Sequence, residues 1–73
     1  MKKTEEEKIR ANEIYFSNLI NILGEGGMFG WKSEGEVLVK RNGKLVCPKK
    51  SYHKAMNIVS ESFFENNFEL KTN

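Results

Sequence analysis

The stretch Glu36-Val37-Leu38-Val39-Lys40-Arg41-Asn42-Gly43-Lys44-Leu45-Val46-Cys47 decides the fold. Two runs rich in valine and leucine flank Asn42-Gly43. That dipeptide is the strongest short-range hairpin signal, because both central residues of a type I′ turn need positive φ. A two-residue loop also sets the register: Arg41 faces Lys44, Lys40 faces Leu45, Val39 faces Val46 and Leu38 faces Cys47. Side chains alternate along a strand, so Val37, Val39 and Val46 share one face. Leu38, Leu45 and Cys47 share the other with Lys40. The valine face is assigned to the core.

Upstream, Met28-Phe29-Gly30-Trp31 reads as a short strand with Phe29 and Trp31 on one face, joined to the hairpin by a turn at Ser33-Glu34-Gly35. Before it lies a helix from about residue 5 to about residue 23. Thr4 followed by Glu7 is a capping box, and Glu5, Glu6 and Glu7 suit the positive end of the helix dipole. Ile9, Phe16, Ile20 and Leu23 form an apolar stripe, widened by Tyr15, Leu19 and Ile22. Gly24 is the expected left-handed C-cap. The stripe is broader than one thin sheet needs and favours a second contact surface.

Downstream, Pro48 ends the sheet because it has no N–H for the ladder. Ser51 is the expected N-cap of a second helix carrying Tyr52, Ala55, Met56, Val59, Ser62 and Phe63 at helical spacing. Asn66-Asn67 frays its end, and Phe68-Glu69-Leu70 is either a docked tail or a short fourth strand. The order is α-β-β-β-α, an α+β fold with two helices packed on a small antiparallel β-meander. Residues 1–73 form a single domain.

A chain of 73 residues buries only about 60% of its unfolded surface, so its stability is marginal. Cys47 and His53 are the sole cysteine and histidine, which excludes an internal disulfide and leaves no metal-ligand spacing. Self-association is the remaining aid, and a homodimer is an expected state. The start, Met1-Lys2-Lys3-Thr4-Glu5-Glu6-Glu7, turns acidic where a signal peptide would become apolar, and no apolar run approaches a membrane span. A lone cysteine fits a reducing compartment, so a bacterial cytoplasm is expected.

Enzyme signatures fail. The glycines from Gly24 to Gly30 follow a helix and precede a strand, the reverse of a phosphate loop, and read as a cap and a tight turn. Cys47 sits in an apolar strand, where cysteine behaves as a small hydrophobe, so pairing with His53 is not expected. Glu5-Glu6-Glu7 is a solvated first turn, and no serine lies in a nucleophile elbow. Neither catalysis nor a cofactor is expected.

Two binding features remain. Residues 32–54 carry seven cations (Lys32, Lys40, Arg41, Lys44, Lys49, Lys50 and Lys54) against Glu34 and Glu36. Lys40, Arg41 and Lys44 surround the hairpin tip, and Lys49, Lys50 and Lys54 follow. Together they are the candidate nucleic-acid contacts, since cations near phosphates release counterions. The sequence pI of about 8.8 is just below the strongly basic range of nucleic-acid binders. The second feature is a surplus of aromatics. If Phe63 faces the core, Phe64 lies about 100° away and, with Ile58 and Phe68, forms an exposed apolar patch.

In size and composition, short and rich in Lys, Glu, Asn and Ile, the chain resembles the small proteins that bacteriophages of low-GC hosts make early in infection. That resemblance covers no motif. It implies a protein that binds and disables one host machine, such as a replication clamp, a polymerase, a nuclease or a defence complex. On this expectation Ile58, Phe64 and Phe68 are apolar contacts to a host protein, with Lys40, Arg41 and Lys44 as charged ones. The alternatives are nucleic-acid binding through the basic 40–54 segment, or a structural homodimer.

Overall fold

A capping box opens the molecule as the sequence requires: the Thr4 hydroxyl accepts from Glu7 N at 3.1 Å and the Glu7 carboxylate accepts from Thr4 N at 2.9 Å. The computed structural model describes residues 3–31 and 35–72. In chain order the elements are α1 (Glu5–Ile22), β1 (Met28–Trp31), β2 (Glu36–Arg41), β3 (Lys44–Cys47), α2 (Lys49–Met56), α3 (Glu61–Asn67) and β4 (Phe68–Leu70). The sheet order is β1-β2-β3-β4. The fold is α+β. Of the turn expected at residues 33–35, Ser33 and Glu34 lie outside the described residues.

The hairpin register is the one set by Asn42-Gly43: Val39 faces Val46, Lys40 faces Leu45 and Arg41 faces Lys44. Asn42 and Gly43 take φ of 55° and 78°, the left-handed pair of a type I′ turn. β1 runs antiparallel to β2, with Phe29 opposite Leu38 and Gly30 opposite Val37. Phe68-Glu69-Leu70 is a fourth strand, and it pairs parallel to β3. The sheet is therefore mixed, not a pure antiparallel meander. The helical return through α2 and α3 makes this possible, because parallel neighbours need a crossover.

The core lies on the opposite face from the one expected. Leu38, Leu45 and Cys47 are fully buried, packed with Phe16 and Ile20 of α1 and with Ala55, Val59 and Phe64. Val37 is 49% exposed and Met28 69%. A two-residue loop dictates which side chains share a face but not which face is inward. The charges were balanced, since Arg41 and Lys44 accompany the valines while Glu36 and Lys40 accompany the leucines. Bulk settles the choice. Phe29 and Trp31 fall on the leucine face, which holds the larger side chains and so removes more apolar surface from water.

Lys40 is reconciled with that face by its length. Its side chain is half-buried, and its Nζ donates to the carbonyls of Ile20 at 2.8 Å and Leu23 at 2.9 Å. These are orphan carbonyls at the end of α1, which has no basic residue in its last turn. The cap is thus a lysine reaching from the sheet. Gly24 is not a left-handed cap: the C-cap is Leu23 in extended conformation, and the positive φ of this loop falls at Gly26.

The second helix is two helices. α2 starts after Pro48, its N-cap, so Ser51 lies inside the first turn and is buried rather than capping. Asn57 ends α2, and Ser60 opens α3 by accepting from Phe63 N at 3.4 Å. Side chains of α1 satisfy the groups freed at the break: Asn12 Nδ2 donates to Ile58 O, and the Glu13 carboxylate accepts from Ser60 N, both at 2.9 Å. The break rotates the stripe. Ala55 and Val59 stay in the core, whereas Met56 is exposed and Phe64 takes the buried position.

Candidate functional site

The aromatic patch expected at the surface is the centre of the core. Phe64 is 7% exposed and Phe68 3%. Their rings stack at 5.5 Å, within a chain running from Trp31 to Phe16 (5.4 Å), Phe16 to Phe68 (5.1 Å) and Phe64 to Tyr52 (4.7 Å). Those contacts tie β1, α1, β4, α3 and α2 together. Ile58 is half-buried against the same cluster. These three residues therefore do not form an exposed patch.

The basic segment is divided as well. Lys40 is committed to the end of α1, and Lys44 Nζ lies 3.3 Å from Glu65 O. Arg41 is exposed, but the hairpin tip carries a carboxylate of its own. Glu25 accepts from Asn42 N at 2.7 Å and from Gly43 N at 3.0 Å. The hydrogen bond from Gly43 N, then that from Asn42 N, holds its carboxyl below the usual range, helped by Lys40 and Arg41. That charge offsets the cations of the tip. Lys49 and Lys50 are exposed in the first turn of α2, and Lys54 Nζ sits 5.3 Å from the centre of the Trp31 ring. The structure thus distributes Lys40, Arg41 and Lys44 at one end of the sheet and Lys49, Lys50 and Lys54 along α2.

Cys47 is buried, its hydrogen bond goes to Leu45 O at 3.6 Å, and burial pushes its thiol up to about 12. A thiol in that environment stays protonated and is a poor nucleophile. His53 is exposed on α2. Among the described residues, no group of three His, Cys, Asp or Glu side chains could hold a metal, and no helix is long and apolar enough to cross a membrane.

The surface that does stand out was missed in the sequence because it had been assigned to the core. The register places Met28, Val39, Val46 and Glu69 in one row across all four strands. Gly30 and Val37 form the next row, and Arg41 and Lys44 lie beyond the first, toward the hairpin tip. At one edge Val39, Val46, Arg41, Glu69 and Lys71 line a cleft of about 190 Å³. At the other, a Cβ on Gly30 would meet nothing within 4 Å, so the sheet has a notch beside Val37. This is an apolar face with charges at its borders. The signal for it was the arginine and lysine that share the valines' face. Ile14, Tyr15 and Ile22 of α1 are exposed too, but they lie on the helical layer, away from this face.

Compared with protein-family models, with curated proteins and with solved structures, the chain matches none.

Proposed function

We propose that the protein is a non-enzymatic protein-binding module, a phage-type inhibitor or modulator that occupies a surface of a host protein in the bacterial cytoplasm. The observation that carries this reading is the uncovered sheet face. Met28 and Val37 are well exposed, while Leu38, Leu45 and Cys47 on the opposite face are fully buried. A contiguous apolar surface on a small domain marks an interaction site more often than chance exposure. Met28, Val37, Val39 and Val46 are then the apolar contacts, in place of Ile58, Phe64 and Phe68. Arg41 supplies a charged contact at the border.

Affinity capture from bacterial lysate tests this, with nuclease present and with Val39→Lys as the comparison. The expected outcome is one dominant protein held by the wild type and released by the variant. A second reading, nucleic-acid binding, is favoured by one observation: Lys49 and Lys50 occupy the first turn of α2, where no acidic residue offsets the dipole. It requires a nuclease-sensitive capture that weakens with salt and with Lys49→Ala or Lys50→Ala, and that ignores Val39→Lys.

A further inference from the structure

We infer that the open sheet face also pairs with a second copy of the chain, in a face-to-face dimer whose two-fold axis runs across the four strands. This rests on the reading of that face as the binding surface and specifies a partner for it. Sheets that stack face to face keep their strands within about 30° of one another and lie about 10 Å apart. Two orientations of a symmetric pair therefore deserve comparison.

An axis along the strands would lay β1 of one copy over β4 of the other. Met28 would meet Glu69, and Arg41 would meet Lys44. That orientation opposes an apolar side chain to a carboxylate and like charges to each other, and both are unfavourable.

An axis across the strands keeps each strand over its counterpart and exchanges the rows. Lys71 continues β4, its N–H donating to Cys47 O at 2.8 Å, so it stands one row beyond Glu69, level with Gly30 and Val37. Placed midway between the two rows, the axis sets Met28 of each copy over the Gly30 notch of the other and Val39 over Val37. Glu69 of each copy meets Lys71 of the other, and the basic ends at Arg41 and Lys44 point to opposite ends of the dimer. Of the two orientations, this is the one in which shape and charge both close.

The size of the face sets the strength. Strands of four, six, four and three residues, rising about 3.3 Å per residue and lying about 4.8 Å apart, present roughly 270 Å² per copy, about a third of what a stable dimer buries. The association is thus reversible and of the weak class, with a dissociation constant roughly between 1 µM and 1 mM.

Sedimentation equilibrium over that concentration range tests the inference. The wild type is expected to rise from 8.4 kDa toward twice that mass. Glu69→Lys and Lys71→Glu, each alone, set like charges against each other across the axis and weaken association about tenfold or more, whereas an equimolar mixture of the two variants restores it. Gly30→Leu starts from a Cβ that meets no atom within 4 Å, puts a side chain into the notch and also weakens association. Circular dichroism melts confirm that each variant is folded. A wild type that stays monomeric throughout, or a mixture that associates no better than either variant alone, overturns the dimer. If the monomer still captures a host protein through Val39, the binding-module reading stands without it. If neither self-association nor capture depends on Val39, both fall.

Discussion

The two faces of the sheet are built from the same few residue types and do opposite work. On one, Leu38, Leu45 and Cys47 are fully buried under three helices and an aromatic chain. On the other, Val39 and Val46 are half-buried, Val37 and Met28 are exposed, and the borders are charged. A pattern of alternating apolar residues therefore establishes a strand without stating which side is inside. Volume and aromatic neighbours state it. The same difference separates stability from binding, since a residue on the first face is expected to act on folding and one on the second on association.

The largest effects break the inner face. Phe64→Ala should cost about 3–5 kcal/mol of stability and Leu38→Ala about 2–5 kcal/mol, measured by urea unfolding. Val39→Ala should stay within about 1 kcal/mol, because a half-exposed valine leaves little cavity. If Val39→Ala matched Leu38→Ala, the distinction between the faces would be lost. Phe64 is the sharper case, since a change that weakened partner binding with stability intact would return it to the surface.

Ser51 tests the inner face from the other side. Its hydroxyl is fully buried in the first turn of α2 and has no hydrogen-bond partner among the described residues. A buried group without a partner keeps its desolvation cost, so removing it relieves strain on the core. Ser51→Ala is expected to leave stability unchanged or to raise it by about 1 kcal/mol, and it also improves helix propensity slightly. A loss above about 2 kcal/mol in urea unfolding would contradict an unpaired hydroxyl.

How much of this was legible in the sequence follows from range. The capping box at Thr4 and the turn at Asn42-Gly43 depend on residues within a few positions of each other, and both stand as read. The break between α2 and α3 was not legible from periodicity, because Val59 lands in the core on either side of the choice. It is stabilised by Asn12 and Glu13, more than forty positions away. The end of α1 stands as read to within a residue, but its cap was missed for the same reason, since it is Lys40 of β2. The candidate surface was legible in membership but not in side: the valines were grouped correctly and placed inward. Its border charges were visible, yet nothing local linked Glu25 to the hairpin tip.

The smallest expected effect concerns those distant carboxylates. Glu13 accepts from both the hydroxyl and the backbone N–H of Ser60, which hold its carboxyl below the usual range with help from Arg10. Glu25 is lowered by the amides of Gly43 and Asn42. In both, the folded pKa lies below the unfolded one, so at acid pH the unfolded chain binds more protons. Their contribution is therefore fully present above the ordinary carboxylate range and is lost as pH falls through the lowered folded values. Thermal melts between pH 7 and pH 3 should show a decline on the acid side that is shallower in Glu13→Gln and in Glu25→Gln. Glu13 holds the break between α2 and α3 and is expected to account for more of the slope than Glu25, which lies on the surface where solvent screens it. An acid slope unchanged in both variants would mean that neither clamp contributes to folding, and that the helix break and the hairpin tip are held by backbone conformation alone.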